Sequence, residues 1–238
     1  MLATNRRHTV ELEPSADGRR LVWRPQLELD GYLHHHRLHG LPTLPGAWIA
    51  ELAVAAALRD GRDDTPVEVA GLVFHAPIRL FGQPDRSYHV DVSEDVGRAT
   101  RISVLGDLVV PDGRVVRRDR PHAEAVVLFD GRRPVPEAAH HRLAGELPEV
   151  DFRYAPTGPV ALDGPFACLA GVRAGEGRAS ASFRPHLDSW TERLAGLHLP
   201  VLLIDALVQC SLIAARPPAR PRPPADTDGG GAGSPLHR

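Results

Sequence analysis

The chain has no lysine; all 28 of its basic residues are arginine. Its 238 residues include only two cysteines, one methionine and 5% aromatics. Two thiols, Cys168 and Cys210, cannot build a disulfide framework or a four-thiolate zinc site, so both are expected as reduced, buried side chains. Net charge is nearly absent: 28 basic against 30 acidic residues leave −2 at pH 7, and no global basic field argues for nucleic acid. Long apolar runs are missing too. The best stretch, Ala47 to Leu58, carries Glu51 and falls short of the ~20 residues a membrane-spanning helix requires. The opening residues, MLATNRRHTVELEP, hold no apolar signal region. A cytoplasmic protein without a membrane partner is expected. The arginine-only usage, beside abundant Ala, Gly and Pro, reads as coding bias of a GC-rich genome and carries no chemistry.

What is present suits a globular chain: 42% hydrophobic and 24% charged residues, long enough for one large domain or two small ones. Residues 8–13 and 20–29 read as short extended runs around a turn at Asp17-Gly18. Residues 30–46 form a loop rich in His, Gly and Pro, in which Pro42 and Pro45 exclude a helix. Residues 47–59, AWIAELAVAAALR, predict a helix that is apolar almost all round and therefore buried. From 66 to 130 the pattern is strand-like: VEVAGLVF, IRLF, SYHVDVSE, ATRISVLGDLVV and AEAVVLFD, separated by Gly, Pro and Asp turns. A long helix followed by several strands predicts an α+β fold, a sheet wrapped around a central helix.

Residues 131–148 read as a Pro-, Ala- and His-rich linker. A second unit over 149–215 then offers strands at 165–173 and 177–184 and a second buried helix at 200–215, with Pro200 at its start. The order of loop, apolar helix and strands partly recurs without a fixed-period repeat. Residues 1–130 thus form a first unit, and 216–238, dominated by Pro and Gly, a disordered tail. Strands that should follow the second helix are absent from this pattern, so the second unit is expected to be abbreviated at its C-terminal end.

Two motifs stand out. The loop before the first helix runs from His36 to Gly46 as HxxxGxxxxP followed by Gly, with Gly40 and Pro45 at its fixed positions. Far downstream, Asp205 and Gln209 form DxxxQ inside the second apolar helix, and Gly164-Pro165-Phe166 precedes it. The segment YLHHHRLHGLPTLPGAWIAELAVAAAL, the DxxxQ and the GPF resemble, in order and spacing, the dehydratase domain of modular polyketide synthases. The resemblance covers roughly residues 8–215.

That resemblance implies a double hot-dog fold and removal of water from a 3-hydroxyacyl thioester, giving a 2,3-unsaturated thioester. It implies His36 as base and Asp205 as acid. Imidazole titrates near working pH and suits removal of the α-proton. The acid must keep its proton, and the apolar neighbours in VLLIDALVQC would raise a carboxyl's pKa by desolvation. Gln209, at i+4, shares a helix face with Asp205 and can orient it. Gly40 and Pro45 would shape the loop, and the Gly46 amide, at a helix start, could polarise the thioester carbonyl. No metal or organic cofactor is implied, since the phosphopantetheine arm belongs to an acyl carrier protein. That carrier, other synthase domains or subunits, and a second copy of the chain in a homodimer are the expected partners.

Besides the absent C-terminal strands, the largest departure, the chain departs from the family's pattern in two places. The residue before the base is often Asp there and is His35 here; a Tyr-Gly often precedes the Pro of the GPxF stretch, and Asp163-Gly164 stands here. A Tyr hydroxyl is then missing, and Tyr154 lies far upstream. Other readings stay open. His36 could be a surface loop residue, Asp205 a structural buried partner, and His34, His35, His36 and His39 a metal cluster. Adjacent loop residues point apart, however, and no Cys or acidic cluster accompanies them. A non-catalytic scaffold or substrate-binding hot-dog and a thioesterase-like hot-dog are the rival functions.

Overall fold

The computed structural model describes residues 10–26, 30–59, 66–80, 86–94, 98–110, 113–129, 147–186 and 190–215. The expected tail over 216–238, most of the expected linker, and the ends of the first two extended runs lie outside them.

The first half is a sheet folded over one helix. Strands β1 (Leu12–Pro14), β2 (Leu21–Trp23), β5 (Pro66–Phe74), β6 (Tyr88–Glu94), β7 (Ala99–Val109) and β8 (Val115–Phe129) make an antiparallel sheet in the order β1-β2-β6-β7-β8-β5. Alternate residues face inward: Tyr88 and Val90, Ile102 and Val104, then Ala123, Ala125, Val127 and Phe129 are all buried. Helix α1 (Gly46–Leu58) fills the concave side. Its alanines let the sheet approach closely, and the helix is buried on every side because α3 (Val201–Ala214) packs against it as well.

The second half is smaller. Strands β10 (Leu169–Gly175) and β11 (Arg178–Phe183) form a two-stranded antiparallel sheet against which α3 lies. Strand β9 (Val160–Leu162) belongs elsewhere. It joins β3 (His36–Leu38) and β4 (Leu41–Pro42) in a small sheet of order β4-β3-β9, so the second half contributes a strand to the first.

Four expectations need correction. The 30–46 segment is not a plain loop: Gly31–His35 winds into a 3-10 turn and β3–β4 is a hairpin. His39 and Gly40, with φ of 51° and 77°, close that hairpin in the left-handed region that a two-residue turn requires. IRLF is not a ladder strand. Its described part has one bridge, Thr43 to Arg79, because the segment it faces contains Pro42 and Pro45, which have no N–H to donate. Strand β8 begins at Val115, eight residues before AEAVVLFD. The polar VVRRDRPH run extends an exposed hairpin with β7, with register shifts around Pro121, which also cannot donate. In the second half, Gly164–Phe166 is a 3-10 turn rather than strand, and a one-turn helix α2 (Thr191–Leu194) appears unannounced.

Candidate active site

The β3–β4 hairpin holds His36 from three directions. His36 pairs with Leu162 of β9, and its carbonyl accepts from the Thr43 amide at 2.9 Å. The ring Nδ1 lies 2.8 Å from the Thr43 carbonyl. A carbonyl can only accept, so Nδ1 carries the hydrogen of the neutral ring and Nε2 keeps its lone pair free. Phe166 packs edge-on against the ring at 5.4 Å. Arg79 braces the hairpin from behind, donating to the Leu38 carbonyl and to Thr43 Oγ1 at 2.7 and 2.8 Å.

Asp205 sits one and a half turns into α3 and is buried. Burial pushes its carboxyl above the ordinary range, opposed by the hydrogen bond from Gln209 and the nearby His36 imidazole. Gln209 is saturated. Its Nε2 donates to Asp205 Oδ2 at 2.7 Å and to the Phe166 carbonyl at 3.0 Å, and its Oε1 accepts from the Tyr154 hydroxyl at 2.7 Å. Tyr154 in turn accepts from the Leu169 amide at 3.0 Å. Because Phe166 offers only an acceptor to the amide, Gln209 has one orientation, and it presents N–H to Asp205.

His36, Asp205 and Gln209 line one cleft of about 190 Å³, together with Tyr154 and an apolar wall that includes Val160, Leu162, Val208 and Leu212. The residues expected to act together are therefore brought together. Gly40, Pro45 and Gly46 are not on the cleft wall: Gly40 is in the hairpin turn, Pro45 precedes α1, and Gly46 begins it beneath the tip of the Phe74 ring. No group of three or more His, Cys, Asp or Glu among the described residues is arranged to hold a metal. Cys168 lies behind Gln209, its thiol pushed up to about 11 by burial.

Tyr154, set aside in the sequence as too far upstream, supplies the hydroxyl of this network; it lies 55 residues before its partner Gln209, and no spacing rule connects the two. Burial pushes its phenol up to about 12, so it remains a donor. His35 and Asp163, two unrelated departures in the sequence, touch in the fold: His35 Nδ1 meets Asp163 Oδ1, Arg37 donates to Asp163 Oδ2, and the Asp163 amide donates to the His35 carbonyl at 3.1 Å. Partial burial raises the Asp163 carboxyl, but Arg37 and His35 outweigh it and hold the group below its usual value. Gly164 makes room, since a Cβ there would sit 2.9 Å from the His35 ring. The two unusual residues form one clamp across β3 and the turn after β9.

Comparison with known proteins bears on the fold. Residues 11–106 match the family model described as polyketide synthase dehydratase domain. No curated protein matches the chain. Among solved structures, the fold is similar to the dehydratase domain from the terminal module of the rifamycin polyketide synthase (TM-score 0.62, 20% identity, 88% of this chain and 78% of that one). It is also similar to the dehydratase domain of RzxB from Pseudomonas fluorescens (TM-score 0.60, 14% identity, 87% and 74%). A third is the dehydratase domain of the CurK module of curacin polyketide synthase (TM-score 0.63, 14% identity, 87% and 74%), also solved as a His-to-Phe and an Asp-to-Asn inactive mutant. The chain has the α+β double hot-dog fold of these domains, its second unit made of β9, β10, β11, α2 and α3 among the described residues, and it resembles the dehydratase domains of modular polyketide synthases.

Proposed function

We propose that the chain dehydrates a 3-hydroxyacyl thioester carried on an acyl carrier protein, as one part of a polyketide synthase. The observation that carries the reading is the shared cleft, in which an imidazole with a free Nε2 faces a buried carboxyl with a raised pKa. The pair divides the two proton transfers of a dehydration between a base and an acid. His36 Nε2 takes the α-proton. The electron pair of that C–H bond forms the 2,3 double bond, the C3–O bond breaks, and Asp205 gives its proton to the departing hydroxyl, releasing water. Gln209, fixed by Tyr154 and Phe166, keeps Asp205 aimed. No cofactor enters this scheme. That one structural neighbour is inactive with a His-to-Phe change, and again with an Asp-to-Asn change, supports a His and Asp pair as the working groups.

The test is direct. Incubated with a 3-hydroxyacyl thioester on a carrier protein, the chain should give a product lighter by one water in mass spectrometry. Folded protein that leaves the substrate unchanged refutes the reading and favours a non-catalytic hot-dog; release of free thiol, followed with a thiol reagent, would mark a thioesterase.

A further inference from the structure

Glu51 is the one charged residue of α1 and has no solvent exposure. Isolated buried carboxylates are costly, and they persist where donors surround them. Three donors do so here. Oε1 accepts from the His198 amide and from His198 Nδ1, both at 2.9 Å, and Oε2 accepts from the Leu199 amide at 2.8 Å. Residues 198 and 199 are the last before Pro200, which starts α3. The carboxylate of one hot-dog helix is thus seated at the entry to the other, where the positive end of the helix dipole also favours it.

The positions of these contacts matter for the cleft. Glu51 lies one turn and a half beyond Gly46, where the His36 hairpin runs into α1. The residues it grips lie about as far before Asp205. We infer that Glu51 is a positioning residue, tying α1 to the entry of α3 so that the imidazole of the hairpin and the carboxyl of the late helix stay in register. An apolar residue at 51 would pack but would leave two amides and a ring nitrogen without an acceptor, and α3 could slide or tilt. Rotation of α3 would carry Asp205 and Gln209 together, away from His36 and from Tyr154, and would open the carboxyl to water.

The inference rests on the dehydratase reading for its kinetic test and has a second test that does not. Besides Gln209 on its own helix, Asp205 faces His36 from the hairpin, Tyr154 from the 152–155 segment and Cys168 just before β10, and Arg153 lines the same cleft. Glu51→Gln keeps the shape and one acceptor but offers N–H where an acceptor is needed. In the folded variant, kcat is expected to fall about 10- to 100-fold, the cost of misplacing a reacting group by roughly an ångström, with KM little changed. Water reaching Asp205 lowers its pKa, so the alkaline limb of the pH–rate profile moves to lower pH. His198→Ala, which removes only the ring contact, should do the same to a smaller extent and decides the matter if Glu51→Gln does not fold. Wild-type kcat and an unmoved alkaline limb in the folded variants overturn the inference, as does a loss of activity that only follows the folded fraction. If the wild-type chain dehydrates nothing, the proposed function falls, and the Asp205 carboxyl resonance, titrated by carbon NMR in wild type and variants, decides this point: a downward shift supports the tie, no shift removes it.

Discussion

Helices α1 and α3 are near twins in length and composition, at 13 and 14 residues, and differ in what covers them. α1 is wrapped by the six-stranded sheet and buries every residue from Ala47 to Ala57. α3 rests on two strands and buries only Val201, Leu202, Asp205, Ala206, Gln209 and Ile213, while Leu203 and Leu207 are exposed on the surface and Val208 and Leu212 are exposed along the cleft. The difference shows where each helix spends its apolar surface. In α1 it builds the core, and the polar work is delegated to the hairpin ahead of it. In α3 the buried side is the polar side of the site, carrying Asp205 and Gln209, so a tight hydrogen-bond network does for this helix what a full sheet does for the other.

The sharpest way to break the comparison is through the chemistry both helices frame. His36→Ala should cost about 10²- to 10⁴-fold in dehydration rate, read by mass spectrometry, with folding intact by circular dichroism. Next comes packing. Leu52→Ala, at 0% exposure in α1, should lose about 2–5 kcal/mol in denaturant unfolding, whereas Leu207→Ala, at 60% exposure in α3, should stay within about 0.5 kcal/mol. Equal losses would mean that α3's outer face is covered in solution. Gln209→Ala strands the Tyr154 hydroxyl and the Phe166 carbonyl, and about 1–3 kcal/mol of stability should go with it.

Two smaller effects concern pH. Asp205, raised on folding, holds a proton that the unfolded chain releases above its ordinary pKa of 3.8, so stability is lost as pH rises past that value. Asp205→Asn removes the penalty: the variant should be inactive yet more stable at neutral pH by about 1 kcal/mol, with the gain vanishing in melts below pH 4. His122, in the first half, has the opposite slope. Buried against Tyr88, with Nδ1 on the Ala76 carbonyl, it is lowered on folding by desolvation. The unfolded imidazole therefore binds protons that the folded one refuses, and stability should fall as pH drops through about 6.5, more gently in His122→Gln.

Much of this was legible in the residues. Both buried helices and most long strands follow from apolar periodicity, and the meeting of His36 with the DxxxQ face is what the family resemblance implies. The parts that were not legible share a cause: they depend on contacts between distant segments. Tyr154 is defined by Gln209, Arg79 by the hairpin it braces, and His35 by Asp163; none of these pairs obeys a local spacing. Short strands such as β3, β4 and β9 carry too few residues to show a period, and exist because each supplies the others' ladder partners.

The crossing of β9 has a practical consequence for anyone dissecting the protein. Since His36 lies on the middle strand of a sheet whose outer member comes from beyond residue 159, cutting the polypeptide between its two halves would strip the strand that carries His36 of a neighbour. The halves would have to be mixed and allowed to reassociate before either could be assayed, and a graft of the fold into a different protein would need to move both as one cassette.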